Sequence, residues 1–145
     1  MDVRFTNWNG SASSVPSVVA APKDVDELIK VVKEHSTYPS PVRAAGSFHS
    51  LNACFATTGT QVLLRDFDGV HVDTASSTVT VGAAVTLLQI RDVLRPHGMQ
   101  TEVAPEIGGA TAGSVACYGA PTASTPSRNA VAMLAGATEM ISPSG

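Results

Sequence analysis

Two kinds of apolar periodicity alternate along this chain. Val25, Leu28, Ile29 and Val32 recur at helical spacing behind Pro22 and Asp24, and Leu87, Leu88, Ile90, Val93 and Leu94 do the same behind Thr86. Between them lie strand-length runs of Val, Leu and Thr separated by Asp, Gly and Ser. This interleaving restricts the fold most, because each helix must bury one stripe and each strand at least one face against a shared core. The expectation is an α+β fold with two small sheets and flanking helices.

The first helix is expected from about Asp24 to Glu34, opened by a capping-box-like pair, Asp24 and Glu27. Strands are expected at Val42 to Ala45, ending at Gly46, then at Gln61 to Leu64, Val70 to Asp73 and Thr78 to Val81. The first two share one sheet, and a mixed second sheet follows. The second helix starts at Thr86 and is ended by Pro96 and Gly98, with its Leu, Ile and Val positions inward. The stretch 129–145 suggests two strands around a turn at Ala135 to Ala137. A length of 145 residues fits one domain, 1–145, since such a chain buries roughly 70% of its unfolded surface.

Composition then removes several function classes. With 43% apolar residues, 14% charged residues and a net charge of −3, the chain reads as a soluble globular protein. One Trp, two Tyr, four Phe and nine Lys plus Arg make no positively charged stacking groove, so nucleic acid is not an expected partner. No window approaches the roughly 20 apolar residues of a membrane span, and the N-terminus lacks a basic region followed by an apolar stretch, so a cytoplasmic location is expected. Cys54 and Cys117 lack CxxC spacing and read as buried free thiols, with a single bridge left open. His35, His71 and His97 share no metal-ligand spacing and read as surface or helix-end residues, so no metal is expected.

The chemistry concentrates at RAAGSFHSLN, residues 43 to 52. Gly46 permits close backbone approach, consecutive loop amides can cradle a pyrophosphate without a lysine, and Ser47 and Ser50 add hydroxyl donors. The spacing is neither GxGxxG nor the phosphate loop ending in Gly-Lys-Ser. Arg43 stays open between neutralising a phosphate and making a surface ion pair. Residues 104 to 127 are crowded with Ala, Gly, Ser, Thr and Pro, a composition that suits a flexible linker or a loop pressed against a ligand, and taken alone favours the linker.

Arg43, Ala44, Gly46, His49, Ser50 and Asn52 resemble the segment of alditol and aldonolactone oxidases, of the vanillyl-alcohol-oxidase type, in which the His is bonded to FAD. Asp68 to Asp73 and the segment from Ser77 to Met99 resemble the same family's strand, Gly turn, helix and Gly in order. Ala112 to Ala116 resembles its other small-residue loop, which lies along the flavin. The resemblance implies the N-terminal part of a PCMH-type FAD-binding domain. It further implies FAD held by Ala44, Ala45, Gly46, Ser47, Phe48, His49 and Ser50 from the first loop and by Pro105, Ala112, Gly113, Val115, Ala116 and Cys117 from the second. His49 is the implied covalent flavin residue, a neutral imidazole attacking the activated methyl group of the ring. The implied function is the flavin-binding portion of an oxidoreductase that oxidises an alcohol carbon of a polyol, sugar or aldonolactone.

Two departures from the family bear on that expectation. Cys117, Tyr118, Gly119, Ala120 and Pro121 stand where the family has Thr-Gly-Thr-His-Gly, and members continue into a cap domain that binds the substrate. Three expectations therefore stand: a fragment of a larger oxidase, a short chain completed by a partner, and a non-catalytic binding module on a degenerate FAD-binding fold. The expected partners are FAD, an alcohol or sugar-like small molecule, and a C-terminal remainder or partner chain. The catalytic residues stay unassigned.

Overall fold

A computed structural model of the chain describes residues 3–101, 107–118 and 138–142. They fall into two compact units, Met1–Asp66 with Glu139–Gly145, and Phe67–Thr138.

The first unit opens with an antiparallel pair, β1 (Phe5–Thr6) and β2 (Ser13–Ser14), with Phe5 opposite Ser14. Its main sheet is parallel, in the order β3 (Val18–Ala20), β5 (Thr60–Leu63), β4 (Val42–Ala45), with both Val18 and Val42 opposite Thr60. Parallel neighbours need a crossover, and α1 (Val25–Lys33) supplies it between β3 and β4. The Asp24 carboxylate accepts from the Glu27 N–H at 2.8 Å, while Glu27 reaches back to the Lys23 N–H at 2.9 Å, one residue before the position a capping box uses. Asp26 and Glu27 in the first turn and Lys30 and Lys33 in the last complement the helix dipole.

The inward face of α1 differs from the stripe read in the sequence. Val31 is buried and Leu28 half-buried against Ala20, Val62, Val42, Leu64 and Tyr38, while Val25, in the first turn, is exposed. Full burial of a side chain such as Val31 or Val62 stabilises by about 1.5–3 kcal/mol. As the central strand, β5 is buried along its whole length, and it starts one residue earlier than expected. That burial explains its polar start: the Thr60 hydroxyl donates to the Pro39 carbonyl at 2.9 Å. Gly59 precedes it because a Cβ there would overlap the backbone of Pro39 and Ser40.

The second unit begins with the antiparallel hairpin β6 (Val70–Asp73) and β7 (Thr78–Val81). Its turn is organised by Asp73, whose carboxylate accepts from the Ala75 N–H, the Ser76 N–H and the Ser76 hydroxyl. The helix α2 (Leu87–Leu94) has a complete capping box between Thr86 and Gln89. It ends in a 3₁₀ turn at Arg95–His97, with Gly98 in the left-handed region at φ 66°. Val85, Leu87, Ile90, Leu94 and Val115 form the core, with Val72, Val79, Val81, Met99, Ala110 and Ala112 packed around them. Leu88 is not inward: it is largely exposed and lies over Gly108, where a Cβ would meet the Leu88 side chain at 2.7 Å.

The small-residue segment is corrected from a loop to a helix, α3 (Ala112–Tyr118). The physical reason is tertiary: Thr111 bridges to Thr86, the Val115 N–H donates to the Thr111 carbonyl, and the Val115 side chain is buried in the core. Ala and Ser cost a helix little once one apolar residue anchors it.

The small sheets and flanking helices bear out the α+β expectation. Of the two strands expected around a turn at Ala135 to Ala137, the first and the turn itself lie outside the described residues, while residues 138–142, where the second would run, form no strand. Among the described residues no helix is long and apolar enough to cross a membrane.

Candidate functional site

The loop that follows β4 carries the first group of candidate residues. Ala44 and Ala45 end the strand, paired with Val62 and Leu63, and the chain then leaves the ladder at Gly46. The carboxyl end of a parallel strand is where open sheets of this kind accept ligands. Among the described residues, the backbone N–H groups of Gly46, Ser47, Phe48, His49 and Ser50 donate to no protein acceptor. Ser47, Phe48, His49 and Ser50 are half-buried and Gly46 is exposed. Donors that are partly exposed and have no acceptor in the fold are left to water or to a ligand. Such a row of donors suits an anion.

His49 is held at one ring nitrogen: its Nδ1 lies 2.9 Å from the Ser47 hydroxyl. Nε2 has no protein partner among the described residues, so it is the nitrogen left for other chemistry. Ser50 is tied locally, its hydroxyl donating to Asn52 Oδ1 at 2.9 Å, and Cys54 Sγ approaches that hydroxyl at 3.7 Å. Cys54 is therefore half-buried and Cys117 is exposed, both free, which corrects the expectation that both thiols are buried.

The loop owes its shape to Phe48, which the sequence reading selected, and to Phe5, Asn7, Trp8 and Phe55, which it did not. Phe48 sits at φ 58°, a left-handed conformation that costs a bulky side chain about 1–3 kcal/mol. Its ring stacks on Phe5 with centroids 5.6 Å apart and meets Phe55 edge-on at 5.1 Å. The Trp8 N–H donates to the Phe48 carbonyl at 3.1 Å, and Asn7 Nδ2 donates to the Ser50 carbonyl at 3.0 Å. The one available signal was the Asn7-Trp8-Asn9-Gly10 string, which marks a turn but says nothing of what the turn touches.

Arg43 is exposed on β4 and makes no ion pair among the described residues, where Asp92 pairs with Arg91 and Arg95. Its carbonyl accepts from Gln61 Nε2 at 2.9 Å, while Gln61 Oε1 is buried without a partner. A cavity of about 370 Å³ in the same unit is lined by residues of β3 and α1 with Tyr38, and it includes none of the loop residues.

The second candidate segment is built differently. The first two N–H groups of α3 are already engaged, Ala112 donating to the Val85 carbonyl at 2.8 Å and Gly113 to the Ala83 carbonyl at 3.0 Å. A Cβ on Gly113 would stand 3.0 Å from the Ala83 Cβ, so the glycine serves close backbone packing. Val115 is buried, Ala112 and Ala116 are half-buried and Cys117 is exposed. Pro105, Gly119, Ala120 and Pro121 lie outside the described residues. Among those described, no cluster of three or more His, Cys, Asp or Glu could hold a metal ion.

A family model for the FAD binding domain matches residues 16–144. The FAD-linked oxidoreductase fogF of Aspergillus ruber is 28% identical over 116 residues, which are 77% of this chain and 21% of that protein. A solvent-stable cholesterol oxidase shares the fold with a TM-score of 0.71 and 26% identity, over 89% of this chain and 26% of that chain. Cholesterol oxidase from B. sterolicum has a TM-score of 0.69 at 17% identity, over 83% and 24% of the two chains, a likeness of fold alone. The chain thus spans about a fifth to a quarter of the length of these relatives.

Proposed function

The chain belongs to the FAD binding domain family, with FAD as its cofactor, and on that premise we propose that the loop after β4 holds the FAD pyrophosphate and that His49 carries the flavin covalently. The observation that supports this best is the row of five N–H groups from Gly46 to Ser50 that have no acceptor among the described residues, with His49 inside it. Neutral amide donors on a loop neutralise no charge, but five of them can share one diphosphate, and the Ser47 and Ser50 hydroxyls stand beside them. Gly46 begins the row with no side chain between backbone and ligand.

His49 is oriented through Nδ1 by the Ser47 hydroxyl, which leaves Nε2 as the nitrogen for the flavin bond. Ala44 and Ala45 lead into the cradle, and Phe48 gives its amide while its ring anchors the loop. Ala112, Gly113, Val115, Ala116, Cys117 and Pro105 belong to the same proposal as cofactor contacts. The Ala112 and Gly113 amides are engaged elsewhere, so this segment acts through side chains and remaining backbone.

Bound FAD supplies the two-electron acceptor for a hydride leaving an alcohol carbon. We assign the chain to the front part of an FAD-binding domain, 1–145, within a larger oxidoreductase that acts on an alcohol. The resemblance to alditol and aldonolactone oxidases favours a polyol, sugar or aldonolactone. Among the structural relatives the named substrate is cholesterol, also an alcohol. Substrate recognition belongs to chain beyond these residues or to a partner.

The test is the visible spectrum of the purified protein, followed by acid precipitation. Flavin fluorescence retained in the pellet is the expected result. Flavin released wholly to the supernatant removes the covalent role of His49, and a colourless folded protein replaces the proposal with a non-catalytic module.

A further inference from the structure

The carbonyls on either side of His49 are both held by the turn that joins β1 and β2. Trp8 donates its backbone N–H to the Phe48 carbonyl at 3.1 Å, and Asn7 donates Nδ2 to the Ser50 carbonyl at 3.0 Å. We propose that this N-terminal turn is the positioning element for His49, with Asn7 and the Trp8 amide setting the direction in which the imidazole is presented. The inference rests on the flavin reading above for its purpose, but its geometry stands apart from it.

The turn is stiff enough for the task. Asn7 is buried, and beyond its bond to Ser50 its Oδ1 accepts from the Ala12 N–H at 3.0 Å and its Nδ2 reaches the Ser11 hydroxyl at 3.1 Å. The Gly10 N–H closes the turn on the Asn7 carbonyl at 3.0 Å. The Ser14 hydroxyl, on β2, donates to the Thr57 carbonyl at 3.1 Å and accepts from the Thr57 N–H at 3.0 Å, so the hairpin is fastened to the chain beyond the loop as well.

What the turn holds is a conformation the loop does not favour by itself. Phe48 at φ 58° is one residue before His49, and a left-handed aromatic residue persists only where its surroundings over-determine it. Phe5, on β1, stacks on the Phe48 ring, so the same hairpin grips the strained residue by both its carbonyl and its side chain. Without these ties Phe48 is free to relax, and the peptide planes flanking His49 turn with it.

The fold offers a narrow substitution to test this. Trp8 is the second residue of a turn closed by the Gly10 N–H, a position that suits proline, and its side chain is exposed. Trp8→Pro therefore suits the turn while deleting the N–H that reaches Phe48, and Trp8→Ala removes the indole but keeps that N–H. Asn7→Asp keeps the acceptor for Ala12 and loses the donor to Ser50.

Protein-bound flavin per chain after acid precipitation is measured for the full-length protein and the three variants, together with thermal unfolding. Trp8→Pro and Asn7→Asp are expected to lower covalent flavin about threefold to tenfold, the loss expected from one hydrogen bond. Trp8→Ala is expected to match the parent protein. Equal flavin in Trp8→Pro and Trp8→Ala overturns the proposal; should Trp8→Pro fail to fold, Asn7→Asp decides by the same measure.

If the parent protein carries no covalent flavin, the flavin reading loses its covalent step separately, and the rate of His49 modification by diethyl pyrocarbonate becomes the readout. His35, His71 and His97 are exposed and serve as internal references. A His49 rate raised about threefold or more in Trp8→Pro but not in Trp8→Ala supports the brace. An unchanged His49 rate ends it.

Discussion

The loop at residues 46–50 and the segment at 108–117 both carry Gly and Ser, yet they use their backbones in opposite ways. In the first, five consecutive N–H groups have no protein acceptor among the described residues. In the second, the Ala112 and Gly113 amides donate to Val85 and Ala83, and Gly113 lies so close to Ala83 that a Cβ there would stand 3.0 Å from the Ala83 Cβ. Small residues free a backbone for close approach, and whether a ligand or another stretch of chain makes that approach is settled by what lies opposite. The first loop therefore offers its amides to a ligand, whereas the amides that open the second segment are spent on packing within their own unit.

The strongest test of that contrast is His49→Ala. Covalent flavin is expected to disappear altogether, while unfolding stability changes by no more than about 0.5 kcal/mol, as for other substitutions outside the core. Flavin fluorescence remaining in the acid pellet of this variant refutes the attachment role.

Gly113→Val is expected to act on stability, costing about 1–3 kcal/mol in a denaturant titration because the added side chain crowds Ala83, whose Cβ would lie 3.0 Å from the new Cβ. A variant as stable as the parent breaks the comparison, since Gly113 is then not a packing residue.

Thr86→Ala sharpens the same side. It removes the capping box of α2 and is expected to cost about 1 kcal/mol with no change in flavin retained. A flavin loss larger than the stability loss links α2 directly to the cofactor.

The smallest effect concerns Asp73 in the β6–β7 turn. The Ser76 hydroxyl, the Ser76 and Ala75 amides and nearby His71 hold its carboxyl below the ordinary value of 3.8. A lowered carboxyl contributes stability that is complete above the unfolded value and fades as pH falls below it toward the folded one. Unfolding curves of Asp73→Asn are expected to lose that acid-side decline, and identical pH profiles for parent and variant dismiss the turn's contribution.

Much of the local structure is legible in the sequence. The strands at Val42–Ala45, Val70–Asp73 and Thr78–Val81 fall where β-branched runs between turn residues placed them. Both helices begin at Asp24 and Thr86, because a side-chain acceptor followed by Glu or Gln three residues on is a local signal. Inward faces were less legible: Val25 lies on the first turn, outside the packed stripe, and Leu88 is turned toward Gly108. The segment at 112–118 was misread as a loop because its helix depends on Thr86, Val85 and Ala83, partners distant in sequence.

The sequence by itself determined the alternation of helices and strands, the helix starts, and the family likeness of the stretch around His49, since each is written in residues a few positions apart. Only the tertiary structure decided which amides lack an acceptor among the described residues, which glycine packs against Ala83, and how the loop is gripped. Asn7 and Ser50, or Phe5 and Phe48, are 43 positions apart in the chain. A hydrogen bond or ring stack across such a separation leaves no periodic trace. It exists only once β1, β2 and the parallel sheet have brought the two segments together.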